Sequence, residues 1–130
     1  MMPVSDKTLL SIKHRLHSFR CALRGLFILF SNEPNAKIHL VTGFSVLLFG
    51  LIINLTIVEW LFVASAIGFV LFAEGVNTSI EFVCDFVSPE RQKIIRNIKD
   101  IAAACVLIAV ITAVTIGGII FIPKILNIVL

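Results

Sequence analysis

The fold class this chain predicts is an all-α membrane protein, and three observations predict it. Of 130 residues, 58% are hydrophobic and 15% charged, whereas soluble domains run near 45–50% apolar and about 25% charged. Apolar runs close to the roughly 20 residues that cross hydrocarbon as a helix occur three times. The basic residues cluster outside those runs, which is how membrane chains set their orientation. So much apolar surface also excludes disorder, and a net charge of +3 is too mild to suggest a nucleic-acid partner. One domain, residues 1–130, is expected at this length.

In chain order, residues 7–32 read as an amphipathic surface helix. Leu16, Phe19, Leu23, Leu26 and Phe30 recur at helical spacing, while Arg15, Arg20 and Arg24 take other faces. Such a helix lies in the interface against anionic headgroups, and packing on its own bundle is compatible with that. No secretory signal is visible, because Lys7, Lys13 and Arg15 interrupt Leu9, Leu10 and Ile12. Pro34 marks a break that turns the chain into the first span, 38–58. Only Glu59 separates this from the second span, 60–83, which opens on the interface residue Trp60. A cytoplasmic surface segment, 86–99, carries the turn signal Ser88-Pro89 and then Arg91, Lys93, Arg96 and Lys99. The third span, 101–122, holds no charge.

Six basic residues precede the first span and four lie between the second and third. The positive-inside rule therefore puts the N-terminus and the 82–100 segment in the cytoplasm, with the short hairpin and the C-terminus outside. Cys21, Cys84 and Cys105 show neither pairing nor metal-ligand spacing and read as free thiols.

The segment Glu74-Gly75-Val76-Asn77-Thr78-Ser79-Ile80-Glu81, then Asp85, carries the sharpest chemical signal. At 100° per residue, Glu74, Asn77, Glu81 and Asp85 fall within about 80° of one another. Counting from Trp60, Glu74 lies roughly 21 Å and Glu81 about 31 Å along the helix, so the stripe climbs from hydrocarbon to water. A carboxylate at the centre of a span costs about 2.5–3.5 kcal/mol, which marks it as functional. Glu74 is suited to accept a proton near neutral pH. Glu81 and Asp85, closer to water, can hold a hard divalent cation such as Mg²⁺ together with phosphate oxygens. A polar seam that fixes helix association, with Asn77 as glue, is the structural alternative.

Glu33 sits at the cytoplasmic interface at the depth of Glu81, and two carboxylates there can chelate one ion, although an ordinary interface Glu explains it alone. Lys99-Asp100 stands at the same boundary, where a Lys neutralises phosphate charge and a snorkelling Lys beside a capping Asp is the simpler reading. His14 and His17 read as an interface-facing pair rather than metal ligands. No P-loop, GxGxxG or HExxH occurs. From these residues alone, an ion- or proton-relay transporter component and a non-enzymatic membrane subunit stay open beside an enzyme.

Ala73-Glu74-Gly75-Val76-Asn77-Thr78-Ser79-Ile80-Glu81, Asp85, Ser88-Pro89-Glu90 and Lys99-Asp100-Ile101-Ala102-Ala103 resemble the signature of the prokaryotic diacylglycerol kinase/undecaprenol kinase family. Ser18-Phe19, Ala22-x-x-Gly25 and Glu33-x-Asn35-Ala36-Lys37-Ile38-His39 agree, and the likeness covers about residues 16 to 122. It departs at Pro34 and Lys37, where undecaprenol-type members usually have Arg, and at Ala104-Cys105, which replaces a common Gly-Ala.

The resemblance implies a homotrimer of three-span subunits in the bacterial cytoplasmic membrane. It also implies transfer of the γ-phosphoryl group of Mg²⁺·ATP to the hydroxyl of a lipid alcohol, undecaprenol or diacylglycerol, in lipid recycling or phospholipid metabolism. By the same resemblance, Glu74 is the general base and Glu33 and Glu81 are metal ligands. Asn77, Glu90, Lys99 and Asp100 belong to the nucleotide and phosphate surroundings.

Overall fold

A computed structural model describes residues 12–88 and 92–130, so the expected helical turn before Ile12 and the Pro89-Glu90-Arg91 segment lie outside the described residues. Among the described residues there are four helices and no strand. They are α1 (Ile12–Asn32), α2 (Pro34–Ile52), α3 (Ile57–Val87) and α4 (Lys93–Val129). The last three are long and apolar enough to cross a membrane.

Glu33 alone separates α1 from α2. Its extended backbone (φ −99°, ψ 113°) redirects the chain, and Pro34 starts α2 at a position where its missing N–H costs nothing. In α1 the apolar face is largely open: Leu16, Phe19, Leu23 and Leu26 are exposed and Leu29 alone is buried.

The hairpin after α2 differs from the sequence expectation of a first span reaching Val58 and a turn at Glu59. The helix ends at Ile52, Asn54 takes a left-handed conformation (φ 53°), and α3 begins at Ile57. A reciprocal cap decides this. The Thr56 hydroxyl accepts from the Glu59 N–H at 3.3 Å, while the Glu59 carboxylate accepts from the Thr56 N–H at 2.7 Å. Thr56-x-x-Glu59 is the sequence form of that box, so the turn lies upstream of where charge alone placed it.

The 86–99 segment, expected as a second surface helix, is helical from Lys93 onward. Val87 still belongs to α3, and Lys93 opens a helix of 37 residues that runs unbroken through the third span. No residue from Lys93 to Asp100 breaks a helix, and Arg96 and Asp100 pair at 3.8 Å across one turn. Pro123 stands inside α4, which continues past the expected end at Ile122 to Val129.

Register follows from small residues and two ion pairs. The buried residues of α2 are Ala36, Gly43 and Gly50, spaced by heptads. A Cβ at Gly50 would stand 2.9 Å from the Trp60 ring, and one at Gly43 would stand 3.0 Å from Ile67 Cγ2. Carried one heptad further, this antiparallel register sets Ala36 level with Glu74, and then Glu33 level with Asn77. Between α3 and α4, Asp85 and Lys99 meet at 2.6 Å at one end, and Glu59 and Lys124 meet at 3.1 Å at the other. The fully buried Ala109 of α4 then falls level with Gly75. Of the small residues the sequence offers for close approach, Gly43, Gly50 and Ala102 are buried. Ala64, Gly68 and Ala103 are exposed in the single chain.

Candidate active site

The buried face of α3 begins as Val63, Ala66 and Val70 and continues, at the same helical spacing, as Glu74, Asn77 and Cys84. Glu74 and Asn77 of the polar stripe therefore lie on the inward face of the hairpin, whereas Glu81 is half-buried and Asp85 exposed. Glu74 is 2% exposed and makes no hydrogen bond among the described residues. Its carboxyl lies within electrostatic reach of His39, Glu81 and Glu33. The Asn77 amide donates to Glu81 Oε1 at 2.9 Å, which holds that half-buried carboxylate in place. The other end of the same side chain, Asn77 Oδ1, is buried with no partner. A buried acceptor left unpaired costs about 1–3 kcal/mol, which native structures keep where a ligand supplies the partner.

The structure thus gathers Glu33, Glu74, Asn77 and Glu81 over two helical turns. Among the described residues, no three His, Cys, Asp or Glu side chains converge as a metal cage. Two carboxylates suffice for a Mg²⁺ ion that takes its other ligands from phosphate and water. Lys99 is brought to α3 by Asp85, about 16 Å along the helix from Glu74. Asp100 turns instead to Arg96 on its own helix and does not join the group. Glu90 lies outside the described residues. His39 was not among the candidates drawn from the sequence, and the register of α2 on α3 sets it one helical turn past the level of Glu74, half-buried. Asp85, weighed there as a cation ligand, instead pairs with Lys99 across two helices.

An apolar cleft of about 770 Å³ opens beside the stripe, lined by Leu26 and Leu29 of α1, Phe72, Gly75 and Val76 of α3, and Ile98 of α4. Gly75 faces Leu29 across this cleft, where a Cβ would stand in ordinary contact 3.7 Å from Leu29 Cδ2.

A helical membrane protein with three helices fit to span and carboxyl groups turned inward between them is the class defined by this geometry. A family model described as "Prokaryotic diacylglycerol kinase" matches residues 20–121. The chain is 32% identical over 107 residues to the undecaprenol kinase of Bacillus subtilis (strain 168), covering 82% of this chain and 87% of that protein. It is 33% identical over 113 residues to the diacylglycerol kinase of Synechocystis sp. (strain ATCC 27184 / PCC 6803 / Kazusa), covering 86% of this chain and 65% of that protein. The chain belongs to the prokaryotic diacylglycerol kinase family, and it is a membrane lipid kinase.

Proposed function

We propose that this protein moves the γ-phosphoryl group of ATP onto the hydroxyl of a membrane lipid at the cytoplasmic face of a bacterial inner membrane. The observation that carries the reading is Glu74: a carboxyl 2% exposed, unpaired, and facing inward just below a cluster of further carboxyl and amide groups. A lipid hydroxyl stays near the membrane boundary and ATP stays in water, so a base must sit just inside and phosphate-neutralising groups just outside.

In the transfer, Glu74 takes the hydroxyl proton as the lipid oxygen bonds to the γ-phosphorus. The bond from that phosphorus to the bridging oxygen breaks, and ADP leaves. Such reactions need mostly positioning and charge neutralisation. Mg²⁺ fits the oxygen-only donors Glu33, Glu81 and the orphaned Asn77 Oδ1, and when bound it would neutralise phosphate charge. Lys99 sits too far from Glu74 to act on the transferred group and suits the nucleotide end, with Asp100 and Glu90 among its surroundings. The cleft beside Gly75 suits the hydrocarbon of the acceptor.

Undecaprenol and diacylglycerol are both acceptors to test, because relatives bearing each name match at similar identity. The reading includes a homotrimer, because three spans by themselves do not enclose a site. The test is phosphorylation of both lipids from radiolabelled ATP with Mg²⁺, side by side. Glu74→Gln should lose on the order of 10²–10⁴-fold in turnover, the range for a general base, while assembling as wild type. Wild-type protein inactive on every lipid alcohol, or Glu74→Gln at full rate, overturns the reading.

A further inference from the structure

We propose that Thr78 holds the acceptor alcohol against Glu74, its hydroxyl donating a hydrogen bond to the oxygen that attacks the γ-phosphorus. The inference rests on the lipid kinase reading above and adds a substrate contact which that reading does not use. Among the described residues, the buried side chains that bear oxygen are Glu74, Asn77 and Thr78, and Thr78 is 5% exposed. A Ser or Thr inside a helix commonly satisfies its O–H on the carbonyl four residues back. Ser18, Ser45, Ser79, Thr112 and Thr115 all do so here, at 2.8–3.1 Å, and all are exposed. Thr78 is the buried one, and it makes no hydrogen bond among the described residues. A buried hydroxyl left unpaired is costly, and native structures keep one where a ligand supplies the partner.

Helix geometry places that hydroxyl beside the base. Thr78 follows Glu74 by four residues on α3, about 6 Å along the axis and about 40° around it. Their Cβ atoms are then about 5–6 Å apart, so a single oxygen fits within hydrogen-bond distance of both side chains. Counting from Trp60, Thr78 lies about 27 Å along the helix, near the end of a hydrocarbon core about 30 Å thick. A lipid keeps its hydroxyl at that depth.

A cleft reaches Thr78 there. It holds about 410 Å³ between α1 and α3, and Gly25, Leu29, Gly75, Thr78, Ser79 and Phe82 are among its walls. Leu26, Leu29, Gly75 and Ser79 also line the larger apolar cleft, so the two spaces adjoin. Gly25 widens the α1 wall, since nothing lies within 4 Å of where its Cβ would stand. Of the two hydroxyls in this lining, that of Ser79 is committed to the Gly75 carbonyl at 2.8 Å. Thr78 is the one left to meet a ligand.

With the hydrocarbon in the larger cleft, the acceptor hydroxyl donates to the Glu74 carboxylate and accepts from Thr78. A hydroxyl oxygen has two lone pairs. Thr78 occupies one, and the other is left to bond to the γ-phosphorus as the proton passes to Glu74. Thr78 itself exchanges no proton, so its contribution is orientation.

The test is steady-state kinetics of the full-length protein in detergent–lipid micelles, with whichever of undecaprenol and diacylglycerol the wild type phosphorylates. Thr78→Val keeps the branched shape and removes the hydroxyl, whereas Thr78→Ser keeps the hydroxyl and removes the methyl. Thr78→Val should lower kcat/KM for the acceptor by about three- to tenfold, the worth of one neutral hydrogen bond. KM for ATP should stay within about twofold in both variants, and Thr78→Ser should keep kcat/KM within about twofold of wild type. Thr78→Val at the wild-type rate overturns the proposal. An equal or larger loss in Thr78→Ser also overturns it and assigns Thr78 a packing role, as does a KM for ATP that rises as much as that for the acceptor. If Thr78→Val does not assemble, Thr78→Ala decides: a loss that Thr78→Ser does not share supports the proposal, and equal rates overturn it. Inactive wild type refutes the kinase reading itself, whereas active wild type with an indifferent Thr78→Val refutes this inference alone.

Discussion

Replacing Glu74 by Met should make the protein more stable, because a carboxyl sunk in a span carries a desolvation cost. The side chain is 2% exposed, accepts no hydrogen bond among the described residues, and shares its surroundings with Glu81 and Glu33. Methionine keeps the unbranched stem and adapts to an irregular gap, so packing should change little. A charged group at the bilayer centre costs about 2.5–3.5 kcal/mol. Glu74 stands roughly 21 Å along the helix from Trp60, or about 6 Å past the midpoint of a hydrocarbon core near 30 Å thick. The cost falls towards the boundary, so Glu74→Met should stabilise each subunit by about 1–2 kcal/mol while abolishing turnover. Trp60, the single tryptophan, packs against Gly50 and reports unfolding by its fluorescence in a denaturant titration of detergent-solubilised protein. A loss of about 1 kcal/mol or more would refute the reasoning, because it would mean the carboxyl holds the hairpin together.

Three further outcomes follow from the packing and the donor set. Gly50→Ala should destabilise by about 1 kcal/mol in the same titration: overpacking costs about 1–3 kcal/mol and the helix preference of Ala returns up to about 1. The clash behind it is a Cβ 2.8 Å from Leu55 Cδ1 and 2.9 Å from the Trp60 ring. Chelation of divalent cations should abolish lipid phosphorylation, and Glu81→Gln should raise the Mg²⁺ concentration for half-maximal rate by about tenfold or more, read from a Mg²⁺ titration. An unshifted titration would remove Glu81 from the cation site.

Much of the site is legible in the amino-acid sequence because it lies on one helix. Glu74, Asn77 and Glu81 share a face by the helical repeat alone, and hydropathy shows that the face is sunk in a span. What local periodicity does not specify is which way such a face points. The continuation of Val63, Ala66 and Val70 into Glu74 and Asn77 turns it inward. The hairpin turn is also written in the sequence, as the Thr56-x-x-Glu59 box, but a continuous apolar run masks it. Lys99 looks equivalent to Asp100 along the chain, and only the packing of α4 on α3 separates them.

The amino-acid order by itself determined three apolar helices, a basic amphipathic helix ahead of them and a row of oxygen-bearing side chains along one helix face, running from hydrocarbon towards water. These are properties of a single helix and its solvent, set within a few residues. Tertiary structure decided what faces that row: Ala36 level with Glu74, Glu33 level with Asn77, and Lys99 against Asp85. The physical reason is that register between helices comes from the fit of side-chain volumes at Ala36, Gly43 and Gly50 and from ion pairs far apart in the chain. Neither leaves a periodic trace in either helix alone.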